Sequence, residues 1–128
     1  MSGVQVDLIM PRHNNLGTVH WAATALLGEL LESGVRVWYT PPPFDHTKLM
    51  VVDGAWTFLG SANWDARSLR LNFEFNVECY GLDFAAKVGA IVRDRLAIAE
   101  AVTREQVESR SLPRKLRDSA AALLTPYL

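Results

Sequence analysis

HTKLMVVDGAWTFLGSANWDARSLRLNFE, residues 46–74, carries a strand–turn–strand pattern. KLMVVD, residues 48–53, is apolar and rich in β-branched side chains, and reads as a buried strand. Asp53-Gly54 is a strong hairpin signal, and residues 55–59 read as the returning strand. Side chains two apart on a strand project to the same face, so His46 and Lys48 can meet one anion together.

The fixed positions read H-x-K-x4-D-x6-G-S-x-N: His46, Lys48, Asp53, Gly60, Ser61 and Asn63, six residues over eighteen positions (46–63). This resembles the HKD signature of the phospholipase D superfamily, whose members cleave phosphodiesters and transfer phosphatidyl groups. The continuation RSLRLNFE, residues 67–74, is similar more particularly to bacterial cardiolipin synthases. The resemblance implies a phospholipase D-like α/β fold. It also implies phosphatidyl transfer between glycerophospholipids, with a phosphatidylglycerol-like substrate, at the cytoplasmic face of the bacterial inner membrane.

The residue types suit that chemistry. A phosphodiester resists attack because its oxygens are negative, and an enzyme without a metal must offset that charge with fixed donors and cations. Lys48 supplies a compact cation with three donors. Asn63 supplies amide donors, and Gly60-Ser61 a small turn through which backbone and hydroxyl approach an oxygen closely. The resemblance implies that His46 attacks phosphorus and forms a phosphoryl-histidine; the spacing alone fits a general base equally well. A nucleophilic histidine presents one lone pair and donates its other nitrogen to a partner. Glu74, expected in the next strand, is the first candidate for that partner, as the family uses an acidic residue after the second asparagine. Asp53 is the second, although at a turn its expected part is to hold the hairpin and pair with a cation. The expected catalytic set is therefore His46, Lys48, Asp53 and Glu74, with Lys48, Ser61 and Asn63 on the phosphate. No cofactor and no catalytic metal is expected, because Lys48 supplies the cation and the other residues form no ligand cluster of suitable spacing. Taken singly, His46 would be a solvated loop residue, Gly60-Ser61 a turn and Glu74 a strand-surface carboxylate; their shared register singles them out.

At 128 residues, 49% hydrophobic and 21% charged, the chain is expected to be one folded domain, residues 1–128. The net charge of −1 argues against nucleic acid as a partner, since phosphate-backbone binders display clustered Lys and Arg. The one cysteine, Cys79, allows no internal disulfide and is expected as a buried thiol. Residues 1–10 do not read as a signal peptide. No apolar run approaches the roughly 18 residues of a membrane span, whereas cardiolipin synthases typically carry such helices near the N-terminus.

Taken in order, residues 4–10 read as a strand and 11–17 as a loop with no assigned role. Residues 18–33 read as a helix capped by Thr18, with Ala22, Ala23, Leu26, Leu27, Leu30 and Leu31 on one face and Gly34 after its end. Residues 35–40 are a second strand, so a parallel strand–helix–strand unit is expected. His13 reads as a surface residue and His20 as a helix-start residue. Asp45 departs from the apolar residue that relatives carry before the motif histidine; it either shifts the protonation of His46 or points to water. Trp64 reads as a buried wall residue, and Arg67 and Arg70 as structural ion-pair partners. Residues 73–80 read as a strand and 84–102 as a helix capped by Asp83, with Ala85, Val88, Ile91, Val92, Leu96 and Ala99 inward. The whole is expected as an α/β/α layered fold with a central mixed sheet, the motif strands at its centre.

Residues 103–128 form a helical amphipathic tail. Leu112, Leu116, Leu123 and Leu124 with Arg114, Lys115 and Arg117 suit an anionic membrane surface, although the favoured reading is that the tail caps its own domain or packs on a partner domain. The signature occurs once, whereas family enzymes build one site from two copies: one histidine attacks and the other protonates the leaving group. The chain therefore reads as the C-terminal half-site, partnered by a second HKD domain in cis or by a second copy; a strand beginning almost at once suggests an upstream domain removed. Two competing readings stand beside it: a homodimeric phosphodiesterase acting on nucleic acid, and a silent half-domain that binds phosphate or membrane.

Overall fold

Pro41-Pro42-Pro43 ends the strand before it, because proline has no N–H to offer a ladder. The structure, a computed structural model, describes residues 3–63 and 66–125, apart from the side chains of Ala66 and Arg67. The described elements are β1 (Asp7–Pro11), α1 (Gly17–Glu32), β2 (Arg36–Thr40), β3 (Lys48–Val52), β4 (Trp56–Gly60), α2 (Ala66–Arg70), β5 (Asn76–Tyr80), α3 (Leu82–Ile98), β6 (Glu100–Ala101), α4 (Arg104–Glu108) and α5 (Leu112–Leu123). They fall into two compact units, Met1–Phe44 with Ile98–Leu128, and Asp45–Ala97.

In the first unit, β1 and β2 pair in parallel from Asp7 opposite Arg36 to Pro11 opposite Thr40, and β6 adds antiparallel to β2. This is a mixed sheet with the expected strand–helix–strand unit. The helix α1 ends as its glycine requires. Gly34 takes φ +85°, its N–H donates to the Leu31 carbonyl, and the Val35 N–H donates to the Leu30 carbonyl, a Schellman closure. Its start differs from expectation. Thr18 lies inside the first turn, and Leu16 holds the cap position without a side-chain bond. Asn14 Oδ1 accepts from the Leu16 N–H at 3.1 Å and turns the chain into the helix. The core is Leu27, Val35, Val37 and Val102, with Leu8, Met10, Leu30 and Leu31 packed against it. Leu26, expected inward, is exposed.

The tail helix α5 packs along α1. It does so by its small and polar face: Ala121 and Asp118 are buried, and Asp118 pairs with Arg110 and Arg117. The Arg117 guanidinium in turn lies 4.3 Å from the Trp21 ring centre on α1. The other face of α5 carries Leu112, Leu116 and Leu123, which point outward, 68%, 62% and 81% exposed.

The second unit carries the motif. β3, β4 and β5 form an antiparallel sheet in that order. The motif strands, expected at the centre of one mixed sheet, thus form a sheet of their own. Asp53 and Gly54 both take positive φ, +50° and +62°, and the Ala55 N–H closes the turn onto the Val52 carbonyl at 3.1 Å, the hairpin that Asp-Gly predicts. β5 starts at Asn76, so residues 73–75, expected as strand, are loop. The helix α3 ends at Ile98, short of the expected 102, because Glu100–Ala101 leave it to pair with β2. Asp83 stands in its first turn and not at its cap. Ala85 and Val88 are buried as expected, and Ile91 is exposed. Cys79 is half-buried and free. Trp64 lies outside the described residues, as does the Arg67 side chain; Arg70 is exposed at the end of α2.

Asp118 gives the sharpest stability test. Its side chain is 1% exposed and faces two guanidinium groups, of which Arg110 is mostly buried and Arg117 half-exposed, so Asp118→Ala leaves the Arg110 cation without its counter-charge. A loss of about 3–5 kcal/mol in urea denaturation is expected. A loss below about 1 kcal/mol, the worth of an exposed pair, would contradict this packing.

Candidate active site

The hairpin register assembles the site. Lys48 stands directly opposite Gly60 across β3 and β4. The H-x-K end of the motif therefore meets the G-S-x-N end, although eleven residues lie between Lys48 and Gly60 in the chain. Lys48 Nζ donates to the His46 carbonyl at 2.8 Å, which holds the ammonium beside the histidine and leaves two of its three donors for an anion. Partial burial holds the Lys48 pKa below the ordinary lysine value, while the carboxylates of Glu74 and Asp45 act to raise it.

Gly60-Ser61 is pinned from the β5 side. The Ser61 N–H donates to the Phe75 carbonyl at 3.0 Å, and the Phe75 N–H donates back to Ser61 Oγ at 3.0 Å. A Cβ on Gly60 would meet the Phe75 carbonyl oxygen at 2.5 Å and the Asn76 Cα at 2.7 Å, so only glycine allows this approach. The Ala62 N–H donates to Asn76 Oδ1 at 3.2 Å and carries the closure toward Asn63, which is exposed.

Glu74 lies in the loop before β5 and not in a strand. Its two oxygens are engaged beside the motif: Oε2 accepts from Ser61 Oγ, and Oε1 accepts from Asn72 Nδ2 at 3.4 Å. The carboxylate expected to orient His46 is thus held by the motif serine and by the second asparagine. Asp53 occupies the far end of the hairpin from Lys48, as a turn residue with positive φ. Its structural reading describes its place; the structure does not bring it to the H-x-K end of the hairpin.

Asp45 is engaged through both carboxylate oxygens. Its Oδ1 accepts from the Thr47 N–H at 2.9 Å and from the Thr47 hydroxyl, and its Oδ2 pairs with Arg95 of α3 at 3.0 Å. The Thr47 hydroxyl and N–H hold its carboxyl below the usual carboxylate range; Arg95 and His46 act in the same direction. The carboxylate therefore ties the approach to His46 onto α3. The D-x-T spacing of residues 45–47, an Asx turn, was the available signal.

A cavity of about 340 Å³ opens beside His46 and Lys48, walled by Leu49 and Leu59 of the hairpin and by Phe84, Val88 and Ile91 of α3. In the first unit, a second cavity of about 300 Å³ is lined by Arg12, His13, Asn14 and Asn15 with Pro41–Phe44. His20 belongs to that unit; burial lowers its pKa, helped by the charges of His13, Arg110 and Arg117. Among the described residues, no group of three or more His, Cys, Asp or Glu side chains is gathered to hold a metal ion. Among the same residues, no helix is long and apolar enough to cross a membrane.

Residues 1–95 match the phospholipase D-like domain of cardiolipin synthase. The chain belongs to the cardiolipin synthase phospholipase D-like domain family. It is 34% identical over 128 residues to the major cardiolipin synthase of Bacillus subtilis, covering all of this chain and 27% of that protein. It is 35% identical to cardiolipin synthase A of Proteus mirabilis, covering 26% of it, and 34% identical to a cardiolipin synthase of Staphylococcus aureus, covering 26%. The chain thus spans about a quarter of the length of these curated relatives. Among solved structures, a phospholipase D family member, Nuc from Salmonella typhimurium, shares the fold. Its TM-score is 0.66 at 22% identity, over 78% of this chain and 65% of that one.

The titration of Lys48 tests the electrostatics of this phospholipase D-like site. Its ¹⁵N-detected midpoint should fall below the ordinary value of about 10.4. Glu74→Gln should lower it further, because that carboxylate favours the charged form. A midpoint unmoved by Glu74→Gln would remove Glu74 from the field at Lys48.

Proposed function

We propose that the chain supplies one half-site of a phosphatidyltransferase of cardiolipin-synthase type, with His46 as its reacting histidine. The observation that carries this reading is the register placing Lys48 opposite Gly60. It gathers a histidine, a cation and the Gly-Ser-x-Asn turn at one end of a hairpin, the donor set that a phosphodiester needs.

In the proposed reaction, a ring nitrogen of His46 attacks phosphorus and the bond to the departing glycerol oxygen breaks. The new bond is a phosphoryl-histidine. The departing oxygen takes a proton from the histidine of a second HKD motif, supplied in cis or by a second copy of the chain. A hydroxyl of the acceptor, a phosphatidylglycerol-like lipid, then attacks phosphorus, returns its proton to that second histidine and releases His46. Lys48 and Asn63 balance the charge on the non-bridging oxygens in both steps. Ser61, held by Phe75, keeps Glu74 in place, and Glu74 keeps the Lys48 ammonium charged. The second histidine is needed because an unprotonated alkoxide departs poorly and general acid catalysis is worth about 10²–10⁴-fold.

The same reading places the site at the cytoplasmic face of the inner membrane, against anionic lipid. Support comes from α5. Leu112, Leu116 and Leu123 fall on the helix face opposite the buried Asp118 and Ala121, with Lys115 beside them.

Two measurements test this. Labelled short-chain phosphatidylglycerol should yield transfer product at a specific activity that falls on dilution of the protein and returns when a second HKD half is added. Asn63→Ala should slow it by about 10²–10³-fold. Cleavage of single-stranded DNA without lipid transfer would overturn the substrate, and full activity in a demonstrable monomer would overturn the half-site. For the membrane face, replacing Leu112, Leu116 and Leu123 together by Ser should release the protein from anionic vesicles in co-sedimentation. Unchanged binding would locate the contact elsewhere.

A further inference from the structure

The cavity beside His46 is unlike a site built for a phosphate alone. Its rim carries His46, Thr47 and Lys48, and its walls are Leu49, Leu59, Phe84, Val88 and Ile91. Phe84, Val88 and Ile91 recur on α3 at spacings of four and three, so they line one face of that helix. Val88 is buried, yet Phe84 and Ile91 are 42% and 52% exposed, which leaves apolar surface in water at the edge of a cationic rim. Water gains nothing from such walls, and a free anion would use only the rim. A ligand that fits both ends carries negative charge at one end and hydrocarbon at the other. The volume, about 340 Å³, is at the small end of ligand pockets, about 300–1,000 Å³. It suits a short stretch of chain and not a whole lipid.

We infer that this slot seats the glycerol-proximal hydrocarbon of a phospholipid whose phosphate lies at His46 and Lys48, with Phe84, Val88 and Ile91 as its specificity wall. The inference rests on the functional reading above and deepens it by naming where the lipid's apolar part goes. Burial of Lys48, the first cause of its lowered pKa, agrees with a rim already partly withdrawn from water. The ion pair of Asp45 with Arg95 joins the residue before His46 to the helix that forms the opposite wall.

The test is a binding experiment on the full chain with ¹³C-labelled Ile, Leu and Val methyls. Butyl, hexyl and octyl phosphates, inorganic phosphate and hexanol are titrated separately. The methyls of Leu49, Leu59, Val88 and Ile91 should move with hexyl phosphate and not with inorganic phosphate. Affinity should rise by about fourfold for each methylene that enters the slot and then level off. Ile91→Asn, at a half-exposed position and without a change of charge, should abolish the chain-length increment; an unmoved methyl of Val51, on β3 of the same unit and outside the slot, confirms that the variant is folded. Phe84→Ala should weaken the increment in the same direction. Slot methyls that stay still, or affinity independent of chain length, would overturn the inference. An equal response to hexanol and hexyl phosphate would overturn the coupling to the cationic rim. Responsive slot methyls in a protein that transfers no phosphatidyl group even with a second HKD half present would sink the functional reading and leave the slot standing. Phosphatidyl transfer with no chain-length dependence would do the reverse.

Discussion

The exchange of two hydrogen bonds between Ser61 and Phe75 is the constraint on which the motif unit depends. It brings the end of β4 so close to the loop before β5 that position 60 has no room for a Cβ. With Gly60 fixed there, the antiparallel register puts Lys48 across from it, and the Lys48 ammonium is held by the His46 carbonyl. Glu74 is bound to the same serine. A single packed corner thus sets the cation, the carboxylate and the turn at once. The proposed chemistry needs fixed charges that do not reorganise as phosphorus is attacked, and a backbone-locked corner supplies them more rigidly than side chains on a mobile loop.

Much of this was legible in the residues, for local physical reasons. The Asp53-Gly54 hairpin follows from two positive φ angles that few other pairs tolerate. The end of α1 follows from Gly34. The meeting of H-x-K with G-S-x-N follows from the strand–turn–strand pattern. What was not legible depended on contacts distant in sequence. Residues 73–75 have the composition of a strand, but the ladder to β4 begins only at Asn76, opposite Gly60, because the approach at Gly60-Ser61 turns the preceding residues into a loop. That moved Glu74 from a strand face onto Ser61 and Asn72. Asp45 reads in the sequence as acting on His46 or pointing to water, and neither reading contains its ion pair with Arg95, fifty residues away.

The tail shows the limit of periodicity. Its leucines and cations predict an amphipathic helix, and α5 is one. The packing of α5 on α1 uses the polar face, through Asp118 with Arg110 and Arg117, and not the leucine stripe. A hydrophobic pattern states which residues share a face. It does not state which face is buried when a charged residue finds two partners in the core.

In the proposed transfer, His46 carries the group in transit. Acid-free quenching of the reacting enzyme, with the second HKD half present and short-chain phosphatidylglycerol as donor, followed by mass spectrometry of the peptide containing residue 46, reads this out. A phosphatidyl adduct on the His46 imidazole is expected, decaying when acceptor lipid is added. An adduct found on the second motif's histidine, with none on His46 at any time during turnover, would contradict it.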